Sequence, residues 1–391
     1  MITLSPDQQL VLDTILTWYK KRPESDETPF ITLGGYAGTG KTTLMAIIRQ
    51  ELAKLTPELK VGFASYTGKA ARVLRTKLTE NNVMLPQDTV GTIHSLIYSP
   101  IVNEKEEIVG WKTKDTIDHK LIIIDEASMV DESIWRHLRT YRVPIIAVGD
   151  HGQLPPIHGT FNLLQDPQLR LEQIHRQASL HPIIGLSIQA RDHGIIRTCI
   201  YSDTVKKYDL LDTDAQDRVE ELLGSYDRDT LVLCGYNTTR VRLNNHIRNI
   251  RGFESHEPVG GDRVICLRNN HAKNIFNGML GTIVSIEGDD EFYRATIELD
   301  DEKDLYKGLI SKVQFGAPTA LNFTNKRSRI MACDLFDFGY AMTVHKSQGS
   351  QARRVILFEE RFRQMDNDQW KRWLYTAVTR AEEELYIFSR G

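Results

Sequence analysis

Three observations predict an α/β fold built on parallel sheets. Residues 121–124 and 145–148 are unbroken apolar runs with no polar face to expose, so each reads as a strand buried on both sides. Apolar residues at helical spacing alternate with such runs, as strand-helix-strand units require. A glycine-rich turn at 35–40 joins one of the strands to a helix. The 391 residues suggest two or three domains. A hydrophobic content of 41% with 26% charged residues fits a folded chain with a sizeable core and excludes a disordered one. No apolar stretch approaches the ~20 residues of a membrane span, so no membrane partner is expected.

The first element is a helix. Ser5 sits at its N-cap, Pro6 at its first position, and Gln8 where it closes a capping box. Val11, Ile15 and Trp18 then recur at helical spacing. A polar loop (20–29) leads to a strand at 30–33, the glycine turn, and a helix over 41–55. A strand at 61–64 and a helix at 69–78 follow. Between 97 and 113, two short apolar pieces flank the polar turn Asn103-Glu104-Lys105-Glu106, which reads as an inserted β-hairpin. A second α/β set starts near Leu171, with a strand at 231–234 and a helix at 240–248. From 257 to 336 the segments 263–267, 281–286 and 293–299 have β character with glycine turns, as in a small β-barrel-like insert. Strand 355–358, helix 370–380 and strand 385–388 return to α/β. The domains are therefore expected at 1–170 with the hairpin near 98–115, at 171–256 together with 337–391, and at 257–336.

The chemistry starts at Gly35-Tyr36-Ala37-Gly38-Thr39-Gly40-Lys41-Thr42, which fits GxxxxGK[ST] between a strand and a helix. Backbone N–H groups from Gly38 through Thr43 face a phosphate at the helix N-terminus, where the dipole favours negative charge. Lys41 reaches the β/γ-phosphates and Thr42 ligates Mg²⁺. The strand 121–124 ends in Asp125 and Glu126, at the sheet edge where ligands bind in such folds. Asp125 holds Mg²⁺ through water and Glu126 polarises the attacking water; a plain helix N-cap aspartate is the bland alternative. This pair specifies hydrolysis of a nucleoside triphosphate, with ATP and Mg²⁺ as cofactors, but not what the hydrolysis drives.

Later segments narrow the class. Val148-Gly149-Asp150-His151-Gly152-Gln153-Leu154-Pro155-Pro156 follows a strand and offers Gln153 as a γ-phosphate sensor. Thr343-Val344-His345-Lys346-Ser347-Gln348-Gly349 crowds polar groups that no core would choose. Trp373 through Arg380 is a helix ending in arginine. With these motifs in order from Leu4 to Phe388, the sequence resembles the superfamily-1 DNA helicases, in the RecD/Dda-like branch. The resemblance implies two RecA-like P-loop motor domains with ATP between them, a hairpin acting as the strand-separating pin, and an SH3-like β insert. It implies that Gln8 reads adenine, a second reading of that residue beside the capping box, and that Arg176 and Arg380 complete the ATP site. It assigns the nucleotide side to 348–351, including Gly349, although glutamate is common in the family at the place of Gln351.

The resemblance also implies the DNA contacts. Tyr66, Thr67 and Lys69 fall in the first strand-contacting loop, where the family usually has proline in place of Tyr66. Tyr66 stacks on a base or simply fills the space. Thr92 meets phosphate and His94 lies near a base. Thr343, His345, Lys346 and Ser347 touch the strand, and Trp111 or Ile108 supplies an apolar pin tip. The activity implied is ATP-dependent, 5′→3′ movement on single-stranded DNA with unwinding of DNA forks. The implied motor works as a monomer beside replication or recombination proteins. An RNA helicase and a non-unwinding loader are the rivals.

Cys199, Cys234, Cys266 and Cys333 form no CxxC pair, which speaks against zinc or a disulfide framework and for a reducing compartment. With no basic-then-apolar leader in MITLSPDQQL, a cytoplasmic place in a bacterium or a phage host is expected. Formal charge is −3, from 49 basic and 52 acidic side chains. Segment 287–304 holds nine acids against Arg294 and Lys303, a net −7 that leaves +4 for the rest. The acid is expected on a solvated face of the insert, away from nucleic acid.

Overall fold

A computed structural model of the chain describes residues 4–21, 28–102, 108–156, 161–173, 181–270, 273, 275–288, 291–300, 302, 304–321 and 333–390. The chain divides into two compact units, Met1–Ile184 and Gly185–Gly391.

In the first unit, helix α1 (Pro6–Lys21) leads to strand β1 (Phe30–Gly35) and helix α2 (Lys41–Leu55). Strand β2 (Val61–Ser65), helix α3 (Gly68–Glu80), strand β3 (Thr89–Thr92) and the short helix α4 (Ile93–Ile97) follow. Strands β4 (Tyr98–Val102) and β5 (Ile108–Thr113) pair antiparallel as the expected hairpin. Its turn at 103–107 lies outside the described residues, as does the side chain of Ile108. Strand β6 (Leu121–Asp125), helix α5 (Glu132–Thr140), strand β7 (Ile145–Gly149) and strand β8 (Leu169–Leu171) complete the unit.

The sheet order is β3-β2-β6-β7-β1-β8, with every pairing parallel. The apolar runs serve both faces in alternation. Val61, Phe63, Leu121, Ile123, Ile146 and Val148 pack with α1 and α2 in one core. Ala64, Ile122, Ile124, Ile145 and Ala147 pack on the other side with Ile93, Ile134, Trp135 and Leu138. Residues 169–171, expected at the start of the second set, instead pair with β1 at the edge of this sheet.

The second unit begins within helix α6 (Pro182–His193). Strand β9 (Val205–Asp209), helix α7 (Thr213–Gly224), strand β10 (Thr230–Cys234) and helix α8 (Asn237–Ile250) come next. Strands β11 (Arg263–Cys266), β12 (Leu280–Gly288), β13 (Phe292–Leu299), β14 (Tyr306–Ser311) and β15 (Phe336–Phe338) form an antiparallel sheet in the order β14-β13-β12-β11-β15. Strict alternation along β13 turns Tyr293, Ala295, Ile297 and Leu299 into its core.

The chain steps out of this sheet at Gly339, where a Cβ would lie 2.6 Å from the Val264 carbonyl carbon, so only glycine passes. It then forms strand β16 (Ala341–Thr343), strand β17 (Ala352–Phe358), helix α9 (Asn367–Val378) and strand β18 (Ala381–Ser389). These join a parallel sheet in the order β16-β10-β17-β18-β9.

One helix face fixes the antiparallel sheet to the parallel one. Arg240, Asn244 and Arg248 recur every fourth residue of α8 and are buried. Arg240 donates to Asp337 of β15 at 2.7 Å, and Arg248 donates to both carboxylate oxygens of Asp262 at 2.8 and 3.0 Å. The Asn244 side chain accepts from the Tyr340 and Ala341 amides and donates to the Ala341 carbonyl. Among the acids of 287–304, Asp300 pairs with Arg263 and Glu298 with Arg228.

Candidate ATP and nucleic-acid site

Because the first sheet is parallel, its strands all present their carboxyl ends at one edge. The sheet order puts β7 between β1 and β6, with Gly34 level with Gly149, and Ile124 level with Ala147. The phosphate loop after β1 and the carboxylates after β6 therefore flank the 150–153 loop, about 10 Å apart across two strand spacings.

The phosphate loop is shaped by its glycines. Gly38 and Gly40 hold φ of +80° and +76°, the left-handed region that favours glycine. A Cβ at Gly35 would lie 2.8 Å from the Thr39 hydroxyl and 3.2 Å from Leu171 Cβ, so the turn closes only around glycine. Thr39 donates its hydroxyl to the Tyr36 carbonyl at 2.8 Å, and Lys41 Nζ donates to the Gly35 and Tyr36 carbonyls at 2.7 and 3.0 Å. Lys41, Thr42 and Thr43 open α2 and remain partly exposed. Gln8 makes the expected capping contact and also bonds to the phosphate loop. Its oxygen accepts the Ser5 amide at 3.1 Å, and its side-chain nitrogen donates to the Thr39 carbonyl at 3.0 Å.

Asp125 accepts the Glu126 amide at 2.9 Å. Burial, reinforced by the Glu126 carboxylate, pushes the Asp125 carboxyl up to about 7. A positive charge beside it would favour the ionised form. Glu126 itself holds φ +53°, a strained backbone for a non-glycine residue. Gln153 is buried and donates to Asp150 at 3.4 Å, while Asp150 also accepts the Gly152 amide at 2.9 Å. The His151 ring lies 4.2 Å from that of Tyr36, which ties this loop to the phosphate loop. Neither Tyr36 nor His151 stood out in the sequence; their places beside two motifs were the available signal. The donor set fits ATP with Mg²⁺: a loop turned by left-handed glycines, an amine, a helix-start hydroxyl, and a buried carboxyl.

The same edge continues over β2 and β3. Thr67 caps α3 by accepting the Ala70 amide at 3.2 Å, with Lys69 in the first turn. Thr92 caps α4 by accepting the Ser95 amide at 3.0 Å. His94 lies edge-on to Tyr66 at 6.3 Å and tilted against Tyr98 at 5.4 Å, so Tyr66 packs among rings and is only partly buried. Trp111 stands on the hairpin with 42% of its surface exposed, opposite Pro100.

In the second unit, Thr343 ends β16 and a 3₁₀ turn carries Val344 through Ser347. Ser347 is buried and donates to the Val344 carbonyl at 2.8 Å. Burial pushes the His345 imidazole down. Burial, with the Arg240 charge adding to it, pushes the Lys346 amine down to about 8. Gly349 has φ +73°. Arg380 is buried at the start of β18, donating to the Thr376 and Ser350 carbonyls, both at 3.0 Å. Arg176 lies outside the described residues.

Two family models match the chain: one described as an AAA domain over residues 4–204, and one as a UvrD-like helicase C-terminal domain over residues 338–388. The ATP-dependent RecD2 DNA helicase of Deinococcus radiodurans is 27% identical over 92% of this chain and 47% of its own. The ATP-dependent DNA helicase dda of Enterobacteria phage T4 is 24% identical over 91% of this chain and 93% of its own. This chain thus spans about half the length of the first relative and nearly all of the second. The crystal structure of Pif1 helicase from Bacteroides in complex with ADP-AlF3 and ssDNA matches with a TM-score of 0.55 at 18% identity, over 99% of this chain and 92% of that one. That likeness is one of fold.

Proposed function

We propose that this chain, which belongs to the AAA-domain family and to the superfamily-1 helicases, is an ATP-dependent DNA helicase that moves 5′→3′ on single-stranded DNA. One observation carries this reading. A single sheet edge presents hydrolytic groups at β1, β6 and β7, and hydroxyl, imidazole and phenol groups at β2 and β3. Hydrolysis and strand contact then share one rigid platform.

Thr42 and Asp125 would hold Mg²⁺, which would supply charge neutralisation at the phosphates. Lys41 and the amides of 38–43 hold the phosphates, and Gln8 meets the adenine. Glu126 orients the attacking water and accepts its proton. Gln153 responds to the γ-phosphate. Arg176 and Arg380 offset the charge of the transferring phosphoryl group, a role worth about 10³–10⁵ in rate in other NTPases. In this reading the parallel sheets are two RecA-like motors, the β4-β5 hairpin is the separating pin, and the antiparallel sheet is an SH3-like module. Thr92, His94, Thr343, His345, Lys346 and Ser347 contact the strand.

The test is unwinding of forks with 5′ or 3′ tails, beside ATPase stimulation by single-stranded DNA and RNA. A 5′ tail and DNA are expected to be preferred. Lys41→Ala or Arg380→Ala is expected to abolish DNA-stimulated hydrolysis, and normal turnover by either variant would refute the assignment.

A further inference from the structure

We propose that helix α5 carries the state of the ATP site to the root of the β4-β5 hairpin, with His137, Tyr141 and Tyr98 as positioning residues for strand separation. This rests on the helicase reading above.

The helix is joined to the ATP-site carboxylates without slack. From the strained Glu126, the Met129 amide donates to the Glu126 carbonyl at 3.1 Å and the Val130 amide to the Ala127 carbonyl at 3.2 Å. Asp131 then caps α5, accepting the Ile134 amide at 2.9 Å on its side chain and the Trp135 amide at 3.0 Å on its carbonyl. The β7 backbone supports this link from beside it: a Cβ at Gly149 would come 2.9 Å from the Ala127 nitrogen. Buried Ile134, Trp135 and Leu138 seat the helix on the sheet. A displacement at Glu126 has no flexible loop in which to dissipate before it reaches α5.

At the far end, two residues one turn apart grip both strands of the hairpin. His137 Nδ1 and the Tyr98 hydroxyl are hydrogen-bonded at 2.6 Å, with ring centroids 5.7 Å apart. Tyr98 opens β4 opposite Thr113. The Tyr141 hydroxyl lies 2.8 Å from the Ile97 carbonyl and 2.9 Å from the Lys114 carbonyl, the residues just before and after the hairpin. The Lys114 amide donates to the Ile97 carbonyl at 2.8 Å, closing the root. Beyond it, Pro100, Ile101, Trp111 and Lys112 are exposed. A two-stranded hairpin is marginally stable by itself, so its attitude is set where it is held. Tyr98 also touches His94, so movement of the root reaches a proposed strand-contacting ring.

Tyr98→Phe and Tyr141→Phe keep the rings and remove only the hydroxyls. DNA-stimulated ATPase and its KM for ATP are expected to stay within about twofold of the native protein. Fork strands separated per ATP hydrolysed are expected to fall about tenfold, the weight of one hydrogen bond at the upper end of its range. His137→Ala is expected to match Tyr98→Phe, and combining the two should cost no more than either, because both break one interaction. Unchanged unwinding, a proportional fall in ATPase and unwinding, or fully additive losses would overturn the proposal. A native protein that shows DNA-stimulated ATPase but separates no fork would refute the helicase reading itself, and this inference with it.

Discussion

Arg248 is the natural place to test how the antiparallel sheet is held. Asp262 accepts two bonds from its guanidinium, one from the Tyr340 hydroxyl at 3.0 Å and one from the Val259 amide at 2.9 Å. The same guanidinium donates to the Ser255 and Glu257 carbonyls at 2.6 and 2.9 Å and lies 4.2 Å from the Phe338 ring centre. Both partners are almost wholly buried, at 2% and 0% exposure. Arg248→Met keeps most of the stem volume but leaves a buried carboxylate with two of its four donors and two carbonyls unmet. Removing one member of a buried pair costs about 3–5 kcal/mol. For a unit of this size, that lowers the melting temperature by about 6–20 °C. Adding Asp262→Leu removes the stranded charge, and buried pairs replaced by apolar groups are often near neutral. The double variant should therefore recover much of the loss. Calorimetry of the second unit's transition reads both numbers. A single variant that melts within about 2 °C of the native protein, or a double variant that melts lower still, would refute this account of the pair.

Two further outcomes concern the motor. Trp111→Ala should hydrolyse ATP normally on single-stranded DNA yet separate forks poorly; equal loss of both activities would remove the tryptophan from the wedge. Burial, with the Arg240 charge adding to it and Cys266 and Asp337 opposing it, pushes the Lys346 amine down from 10.5 to about 8. Below that pH it is an ammonium that can neutralise a phosphate, and above it the charge is lost. Affinity for single-stranded DNA at fixed salt should therefore fall as pH rises through about 8, and Lys346→Arg should flatten that step. A pH profile identical in the variant would assign the step elsewhere.

What was legible in the sequence was local. The phosphate loop could be read because GxxxxGK[ST] encodes backbone geometry directly, and the helix over 41–55 starts and stops where its apolar spacing does. The apolar runs betrayed the central strands for the same reason. Strand order was not legible: that β7 separates β1 from β6 depends on pairing between distant segments. Helix α7 was missed because its sequence is largely polar and it buries only Ala215, Leu222 and Leu223. The polar residues of α8 look like a solvated face. They are core because Asp337 and the 340–341 backbone arrive from almost a hundred residues away. Gln8 was legible as a capping residue, whereas its bond to the Thr39 carbonyl depends on a contact 31 residues away in sequence.

The segment 344–351 has a mechanical meaning. In the second parallel sheet, Leu233 is level with both Met342 of β16 and Leu357 of β17. Thr343 is therefore six residues further along the strand axis than Ala352, and two strands to the side. The gap is about 22 Å. The chain has nine steps to cross it, four of them in a 3₁₀ turn. Those steps reach only about 25 Å. The left-handed kink at Gly349 shortens that reach further. The segment behaves as a drawn cord. Its upper end carries the hydroxyl, imidazole and amine proposed to hold the strand, and its lower end is fastened by the Ser350 carbonyl to Arg380. Folded in this way it has little spare length, and only opening of the 3₁₀ turn or of the turn closed by the Ser350 amide on the Ser347 carbonyl would lengthen it. In the proposed reading, a shift of the Arg380 end reaches the Thr343 end directly unless one of those turns opens.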